Sequence, residues 1–308
     1  MQEEIEKKNV WKLLLILAFI MVMVTMVFVY WFVPFNTINL SIVGKNSNFS
    51  LVSDSDMQFY KNMRFPHPEV SYKIYDCPLN KKNSMEDAFG ILENKTVLSF
   101  FPVDSNEEIS VTCDSRNKLD KNLFIAGEGG PTNITKTENF NVIFSGKILL
   151  IRESKCGIPN VELHELLHVL GFDHSSNPQN IMYNLSSCGQ TIGDDVLNLI
   201  NELYSIGSFP DLILKNVSSV IEGRYINANV SLINEGLVGS KNFSIDIYAD
   251  GKLVKEIEVE FLEVGYGKIM VLSNLWVNQI SINELSIEID YPYPELNKEN
   301  NKLTLRQV

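Results

Sequence analysis

The sequence predicts a mixed α+β domain followed by an all-β sandwich, both behind a single N-terminal transmembrane helix. A long charge-free run lies near the N-terminus, helical and strand-like patterns alternate in the middle of the chain, and short Val, Ile and Tyr-rich segments fill its C-terminal third. The length of 308 residues suits about two domains. The 45% hydrophobic and 21% charged content is ordinary for globular proteins.

Residues 13–35 contain no charged side chain, and a helix needs about 20 apolar residues to cross a bilayer. Lys7, Lys8 and Lys12 precede this run, so the positive-inside rule places the N-terminus in the cytoplasm and the remaining chain outside. The alternative is a cleaved signal peptide, whose shorter apolar region and small-residue cleavage site are both missing. We therefore expect a single-pass membrane protein that contacts the lipid bilayer through residues 13–35.

The charge balance argues against certain classes of binding partner. The chain holds 26 basic and 38 acidic residues, which gives a formal net charge of −12. Nucleic acids and anionic lipid surfaces attract basic proteins. We therefore expect no nucleic-acid partner, and we do not expect anionic lipid to be the main partner.

The exported chain is predicted to divide into three parts. Residues 37–65 are rich in Asn, Ser and Asp without a sustained period, and are predicted to form a stalk. Residues 66–208 carry the mixed helix and strand pattern, and residues 209–308 carry the all-β pattern. Residues 1–36 remain as the cytoplasmic tip and the membrane anchor.

The middle part alternates helices with strands in an α+β order. Ser84 and Asn160 are predicted N-caps, and Glu162 lies in a first helical turn, where the helix dipole favours an acidic residue. The predicted strands cover residues 70–75, 97–101, 109–113, 123–126 and 147–151, and the predicted helices cover residues 85–92, 161–170 and 194–204.

Four cysteines, Cys77, Cys113, Cys156 and Cys188, lie on the predicted outer side of the membrane, where thiols oxidise. Four cysteines allow three pairings, and sequence alone does not fix the connectivity. We favour the local pairs Cys77 with Cys113 and Cys156 with Cys188, because the second pair brackets the histidine motif described next. Buried free thiols are the alternative.

Three of the four histidines fall within one short segment, His164-Glu-Leu-Leu-His168-Val-Leu-Gly171-Phe-Asp-His174. On a helix, His164 and His168 project from one side, whereas the leucines form the opposite, core-facing stripe. Gly171 can adopt the left-handed conformation that ends a helix, which turns the chain back and brings His174 to the same metal.

Three neutral imidazoles form a zinc-binding set that leaves a fourth position open for water, as in catalytic zinc sites. The expected cofactor is therefore one Zn²⁺ ion bound by His164, His168 and His174. Glu165 is the expected general base, because it can reach the zinc-bound water without binding the metal. Zinc lowers the pKa of that water to about 7, so a carboxylate suffices as the base. The alternative is a surface or core helix that matches His, Glu and Gly at these spacings by chance.

These residues follow the pattern H-E-x-x-H-x-x-G-x-x-H, and the segment resembles the metzincin metallopeptidases, in particular the matrixins. The resemblance covers roughly residues 65–207 and implies that Asn180-Ile-Met182-Tyr183 is the Met-turn, a hydrophobic floor under the zinc. It also implies that residues 123–128 are an edge strand that pairs with an extended substrate, with an ordinary sheet strand as the alternative.

The chain departs from the matrixin pattern in two places that affect the metal sites. Vertebrate matrixins carry a second, structural zinc on further histidines, for which only His67 remains here, so no second zinc is expected. Cys156-Gly-Ile-Pro resembles the cysteine-switch motif of matrixin propeptides, but it lies shortly before His164 on a strand-to-helix connection. We interpret Cys156 as a disulfide cysteine.

The C-terminal part contains the segments PDLIL at residues 210–214, VSLINEG at 230–236 and IYADG at 247–251, with Asp250-Gly251 as a hairpin signal. It resembles the CARDB family of immunoglobulin-like modules, which implies a β-sandwich and a spacer or adhesion role through a cell-surface ligand. As a separate module, its removal is expected to leave cleavage of a small peptide nearly unchanged.

The sequence thus predicts a membrane-anchored, extracytoplasmic zinc endopeptidase that hydrolyses peptide bonds in protein or peptide substrates. The alternative is a cell-surface adhesion or scaffold protein in which the zinc domain is vestigial. The intact Glu165 favours the enzyme, because a lost Glu or His is the usual cause of inactivity in such domains.

Overall fold

The computed structural model resolves the chain into helices and strands. The described residues are 2–32, 37–42, 57–115, 119–120, 123–153, 156–279 and 281–307. The helices are α1 (Gln2–Phe32), α2 (Leu79–Glu93), α3 (Asn160–Val169) and α4 (Asp194–Ser205). The strands are β1 (Thr37–Ile42), β2 (Met63–Arg64), β3 (Glu69–Ile74), β4 (Ser99–Pro102), β5 (Ile109–Cys113), β6 (Leu119–Asp120), β7 (Leu123–Phe124), β8 (Gly127–Lys136), β9 (Asn141–Leu150), β10 (Leu212–Glu222), β11 (Tyr225–Asn234), β12 (Phe243–Ala249), β13 (Lys252–Val259), β14 (Gly267–Trp276), β15 (Glu284–Asp290) and β16 (Lys302–Gln307).

Helix α1 contains the charge-free run. Its segment Trp11–Tyr30 has a mean hydropathy of 2.9, and none of its 20 residues is buried. By length and composition this helix is able to cross a membrane, although a signal sequence near the N-terminus has the same properties.

A six-stranded sheet forms the framework of the middle domain. Five of its strands follow the order β2-β9-β5-β3-β4, and all of these neighbours are parallel. β8 pairs antiparallel with β9 over its whole length, so β9 lies between β5 and β8. β8 is therefore an edge strand, and β9 is its ladder partner among the described residues.

Helices α2, α3 and α4 share one apolar core with this sheet. The core includes Val70, Phe89, Ile148, Leu166 and Leu199. Arg64 on β2 is only 1% exposed and connects this strand to the end of α4. Its guanidinium donates hydrogen bonds to the carbonyls of Leu203 and Ile206 at 2.5 and 2.9 Å. These bonds satisfy backbone groups at the helix end that lack helical partners.

The predicted elements of this domain are present with shifted ends, but both predicted N-caps are wrong. α2 already includes Ser84, and Pro78 occupies its N-cap position. α3 begins at Asn160 itself, after Pro159, and the Asn160 amide donates to the Ser187 carbonyl at 2.7 Å instead of capping the helix. Proline favours helix starts because its φ is already near the helical value.

The assignment of residues 37–65 as a stalk is corrected at both ends. β1 pairs antiparallel with both β10 and β16, so it belongs to the sheet of the C-terminal domain. Its sequence alternates polar and apolar residues, as a half-buried strand does, but the run is short and lies among Asn and Ser. Met63 and Phe65 are fully buried in the middle domain. The remaining stalk residues, 43–56, lie outside the described residues.

The C-terminal domain is one ladder of eight strands in the order β13-β12-β15-β16-β1-β10-β11-β14. The two halves of this ladder share one apolar core, with Leu214, Val230, Ile247 and Ile287 among its members. The all-β prediction is therefore confirmed, and β1 joins the two halves. Asp250 and Gly251, at φ 45° and 75°, form the tight turn between β12 and β13.

Two disulfides, Cys77–Cys113 and Cys156–Cys188, confirm the local pairing. The first joins the segment before α2 to the end of β5. The second joins the connection before α3 to the loop that follows Met182, so Cys156 is a disulfide cysteine. The bonded cysteines are separated by 36 and 32 residues, so each bridge closes a long loop of the unfolded chain.

Removal of the second bridge should destabilise the middle domain. We expect the double variant Cys156→Ser/Cys188→Ser to lose about 2 to 4 kcal/mol of unfolding free energy, because the open chain gains loop entropy. Urea unfolding of the full-length protein in detergent measures this loss. An unchanged midpoint, or non-reducing peptide mapping that links Cys77 to Cys156 or Cys188, would contradict the assignment.

Candidate metal centre

Helix α3 presents histidines on one side and leucines on the other. Leu163, Leu166 and Leu167 are at most 1% exposed and pack into the core of the middle domain. His164 and His168 follow each other by one helical turn on the opposite side. The hydrophobic packing of α3 therefore sets the direction in which these two imidazoles point.

The predicted role of Gly171 agrees with the geometry at the end of α3. Gly171 has φ +96°, its N–H donates to the His168 carbonyl, and the N–H of Phe172 donates to a carbonyl one turn earlier, both at 3.0 Å. This is a Schellman motif. A Cβ at Gly171 would lie 2.6 Å from the Met63 side chain, so both the conformation and the space require glycine. The turn brings His174 back to the helix.

The three histidine rings converge through their Nε2 atoms. His168 Nε2 lies 3.0 Å from His164 Nε2 and 3.2 Å from His174 Nε2. Two nitrogen ligands of a tetrahedral zinc ion, each about 2.0 to 2.1 Å from the metal, are separated by about 3.3 Å. The spacing and chemistry of the donors therefore fit one zinc ion.

Backbone carbonyls fix the orientation of two of these rings. The Nδ1–H of His164 donates to the Ile181 carbonyl, and that of His168 donates to the Phe172 carbonyl, both at 2.7 Å. With the proton on Nδ1, each Nε2 keeps the lone pair that a metal needs. Burial lowers the pKa of His164, and lowers the pKa of His168 to about 4, so both rings are neutral at pH 7.

A tight turn at residues 180–183 supplies one of these carbonyls. The Asn180 side chain accepts the N–H of Met182 at 2.9 Å, and the Asn180 carbonyl accepts the N–H of Tyr183 at 3.0 Å. Met182 itself is 1% exposed and belongs to the domain core. The turn thus positions His164 through the Ile181 carbonyl, and the role of Met182 as a floor for the zinc stays a prediction.

Glu165 lies on α3 between the two ligand positions and is only 6% exposed. Burial, with a smaller contribution from the nearby carboxylate of Glu128, raises the pKa of Glu165 to about 8. The backbone N–H of Gly129 donates to this carboxylate and opposes the shift. A nearby divalent cation favours the ionised form of such a carboxyl.

β8 is an edge strand of this sheet, and it includes only the end of the edge strand expected at residues 123–128, which corrects that expectation. The short strand Leu123–Phe124 pairs with β6, whereas β8 begins at Gly127 and contacts α3. A Cβ at Gly127 would lie 2.7 Å from Glu165 Cγ, and a Cβ at Gly129 would lie 2.3 Å from the Glu165 carbonyl oxygen. The sequence signal for this close approach of β8 to α3 was the Gly-Glu-Gly-Gly run. Such a run more readily suggests a turn than a strand packed closely against a helix.

Phe59 was missed by the sequence analysis because it falls in the predicted stalk. Its ring stacks on His168 with the centroids 5.6 Å apart, and 38% of the side chain is exposed. Its N–H donates to the Gly171 carbonyl, and the N–H of Asp173 donates to the Met57 carbonyl, both at 2.9 Å. The segment that precedes β2 therefore forms one wall of the metal centre.

Both domains match known protein families. Residues 65–205 match the family model for matrixin (Peptidase_M10), and residues 209–305 match the model for CARDB. The predicted resemblance to both families is confirmed. The matrixin match supports a metallopeptidase, and this family implies zinc, for which the histidine cluster offers three ligands.

A comparison with solved structures found a CARDB domain from Pyrococcus furiosus, determined in complex with di-metal ions. It is 20% identical, its TM-score is 0.27, and the alignment covers 32% of this chain and 89% of that chain. A comparison with curated proteins found no match.

The contact between β8 and α3 can be tested at two adjacent glycines. We expect Gly129→Ala to destabilise the protein by about 1 to 3 kcal/mol, because its methyl group would overlap the Glu165 carbonyl. Gly130→Ala is the matched control: a Cβ there meets nothing within 4 Å, so its effect should stay within about 0.5 kcal/mol. Equal urea midpoints for the two variants would contradict this contact.

Proposed function

We propose that the protein is a membrane-anchored, extracytoplasmic zinc endopeptidase that hydrolyses peptide bonds in protein or peptide substrates. The observation that carries this proposal is the convergence of three imidazole nitrogens, two of them on the helix that also carries the buried Glu165. The matrixin match over residues 65–205 supports the same class of enzyme.

His164, His168 and His174 would hold the zinc ion through their Nε2 atoms. When bound, zinc supplies a Lewis acid that polarises the scissile carbonyl and acidifies the attacking water. Glu165 accepts the proton of that water at its carboxylate and returns it to the leaving amine. Its buried position keeps bulk water away during this transfer.

An extended substrate would bind along β8. This strand lies at the edge of the sheet, and edge strands bind peptides by forming additional ladder hydrogen bonds. The Gly129 N–H of this strand donates to the Glu165 carboxylate, so a peptide bound along β8 would lie close to the general base. The proposed substrate-binding strand is therefore β8 rather than residues 123–128.

Helix α1 would anchor the enzyme in the membrane. Its apolar segment is long enough to span a bilayer, and the lysines before it favour a cytoplasmic N-terminus. Both disulfides lie in the middle domain and agree with an oxidising compartment for that domain. A cell-surface ligand for the C-terminal domain stays a prediction.

Replacement of Glu165 should separate catalysis from metal binding. We expect Glu165→Gln to keep the zinc, because Glu165 is not among the proposed ligands, and to lower kcat about 10²- to 10⁴-fold, because the proton acceptor is lost. Glu202→Gln, at an exposed position of α4, is the matched control and should keep full activity. Peptide cleavage and zinc content are measured on the same samples.

A Glu165→Gln variant as active as the parent would refute Glu165 as the base. An inactive parent that binds cells through its C-terminal domain would instead support the adhesion or scaffold protein.

Zinc stoichiometry tests the ligand set. We expect elemental analysis after dialysis to find one zinc per chain in the parent protein and a large loss in His168→Ala, since removal of one ligand weakens the site. A chelator should abolish cleavage, and added zinc should restore it. A stoichiometry near zero or near two in the parent would contradict the assignment.

A further inference from the structure

The tip of the β8–β9 hairpin packs against the C-terminal domain. Phe140 and Val142 from the hairpin form an apolar cluster with Leu237 and Val264 from the C-terminal domain, and all four are at most 2% exposed. Ile206, from the connection between the domains, packs against the same cluster. We call this set the interdomain cluster. Its burial removes apolar surface of both domains from water.

Polar contacts surround the interdomain cluster. The backbone N–H of Glu138, in the hairpin turn, donates to the Glu235 carboxylate at 2.6 Å. Lys215 on β10 bridges the two domains, with its Nζ 3.0 Å from the Glu138 carboxylate and 2.5 Å from the Glu235 carboxylate. The Glu235 side chain is only 6% exposed, whereas the side chains of Lys215 and Glu138 are 30% and 51% exposed. Glu235 is therefore the shielded member of this network, and the Lys215–Glu138 pair is a surface ion pair.

The opposite end of the same hairpin reaches the metal centre. Gly127 and Gly129, at the start of β8, contact Glu165, whereas Lys136 at its end leads directly into the turn held by the C-terminal domain. Three glycines lie within the first four residues of β8, and its pairing with β9 is irregular between Pro131 and Ile134. Glycines and register shifts weaken a strand, so β8 depends more than a regular strand on the contacts at its two ends.

We propose that the C-terminal domain positions β8 for substrate binding, with Leu237, Val264 and Lys215 as positioning residues. The C-terminal domain is then part of the catalytic unit and not a separate spacer, which reverses the expectation that its removal leaves peptide cleavage unchanged. The effect on substrate rests on the proposed peptidase function, whereas the effect on β8 does not.

Leu237→Ala in the full-length protein tests this coupling. We expect hydrogen exchange of the β8 amides to rise about tenfold or more, because the hairpin tip loses packing and opens more often. The KM for an extended peptide should rise about three- to tenfold with kcat within about twofold, because substrate binding is weakened while the chemical step is retained. Zinc content should stay unchanged.

Leu285→Ala is the matched control. Leu285 is a fully buried leucine of the same domain, but it belongs to the core of the sandwich and not to the interdomain cluster. We expect it to lower the stability of the C-terminal domain without changing β8 exchange or KM. Lys215→Met, which removes the bridging charge and keeps most of the apolar stem, should raise β8 exchange in the same direction as Leu237→Ala.

Unchanged β8 exchange in both Leu237→Ala and Lys215→Met would overturn the proposal, as would an equal rise in Leu285→Ala. Faster β8 exchange with an unchanged KM would overturn the role in substrate binding. If the parent protein shows no peptidase activity, the proposed function fails, and the exchange measurements still decide whether the C-terminal domain holds β8.

Discussion

The contact between α3 and β8 is the constraint on which the candidate metal centre depends. The helix supplies the first two histidines and Glu165, and the strand supplies the Gly129 N–H that the Glu165 carboxylate accepts. Core leucines hold the helix on one side, and the glycines of β8 admit it closely on the other. Rotation of α3 would break both contacts at once, so the direction of the ligand side chains follows from packing well away from the metal.

The same packing sets the electrostatics of the centre. Burial favours the uncharged form of each of these groups. It therefore lowers the pKa of the imidazoles of His164 and His168 and raises the pKa of the Glu165 carboxyl. These buried groups therefore add little charge to the folded protein in the absence of metal. A metal cation can bind these neutral imidazoles without displacing a proton from them. Its positive charge then favours ionisation of the nearby carboxyl.

The part of the site that lies on one helix was predictable from sequence, because the spacing of His164, His168 and Gly171 has a local geometric meaning. Phe59 and the glycines of β8 were not predictable in the same way. Their contacts join segments far apart in the chain, and nothing local marks the partner. The same reason applies to β1, whose six residues carry a strand pattern that many short segments share. The interdomain cluster combines ordinary apolar residues that only the tertiary fold brings together.

In the proposed membrane-anchored enzyme, the place of β1 in the C-terminal sheet determines which proteolytic cut would release the folded domains from α1. β1 precedes the matrixin-like domain in the chain, yet it lies between β10 and β16. A single proteolytic cut between residues 43 and 56 would sever the covalent link between α1 and the folded domains. The fragment that contains α1 and β1 would still be hydrogen-bonded to β10 and β16 of the sandwich. Release of the folded domains from α1 therefore requires a cut between α1 and β1, or the extraction of a central strand from its sheet.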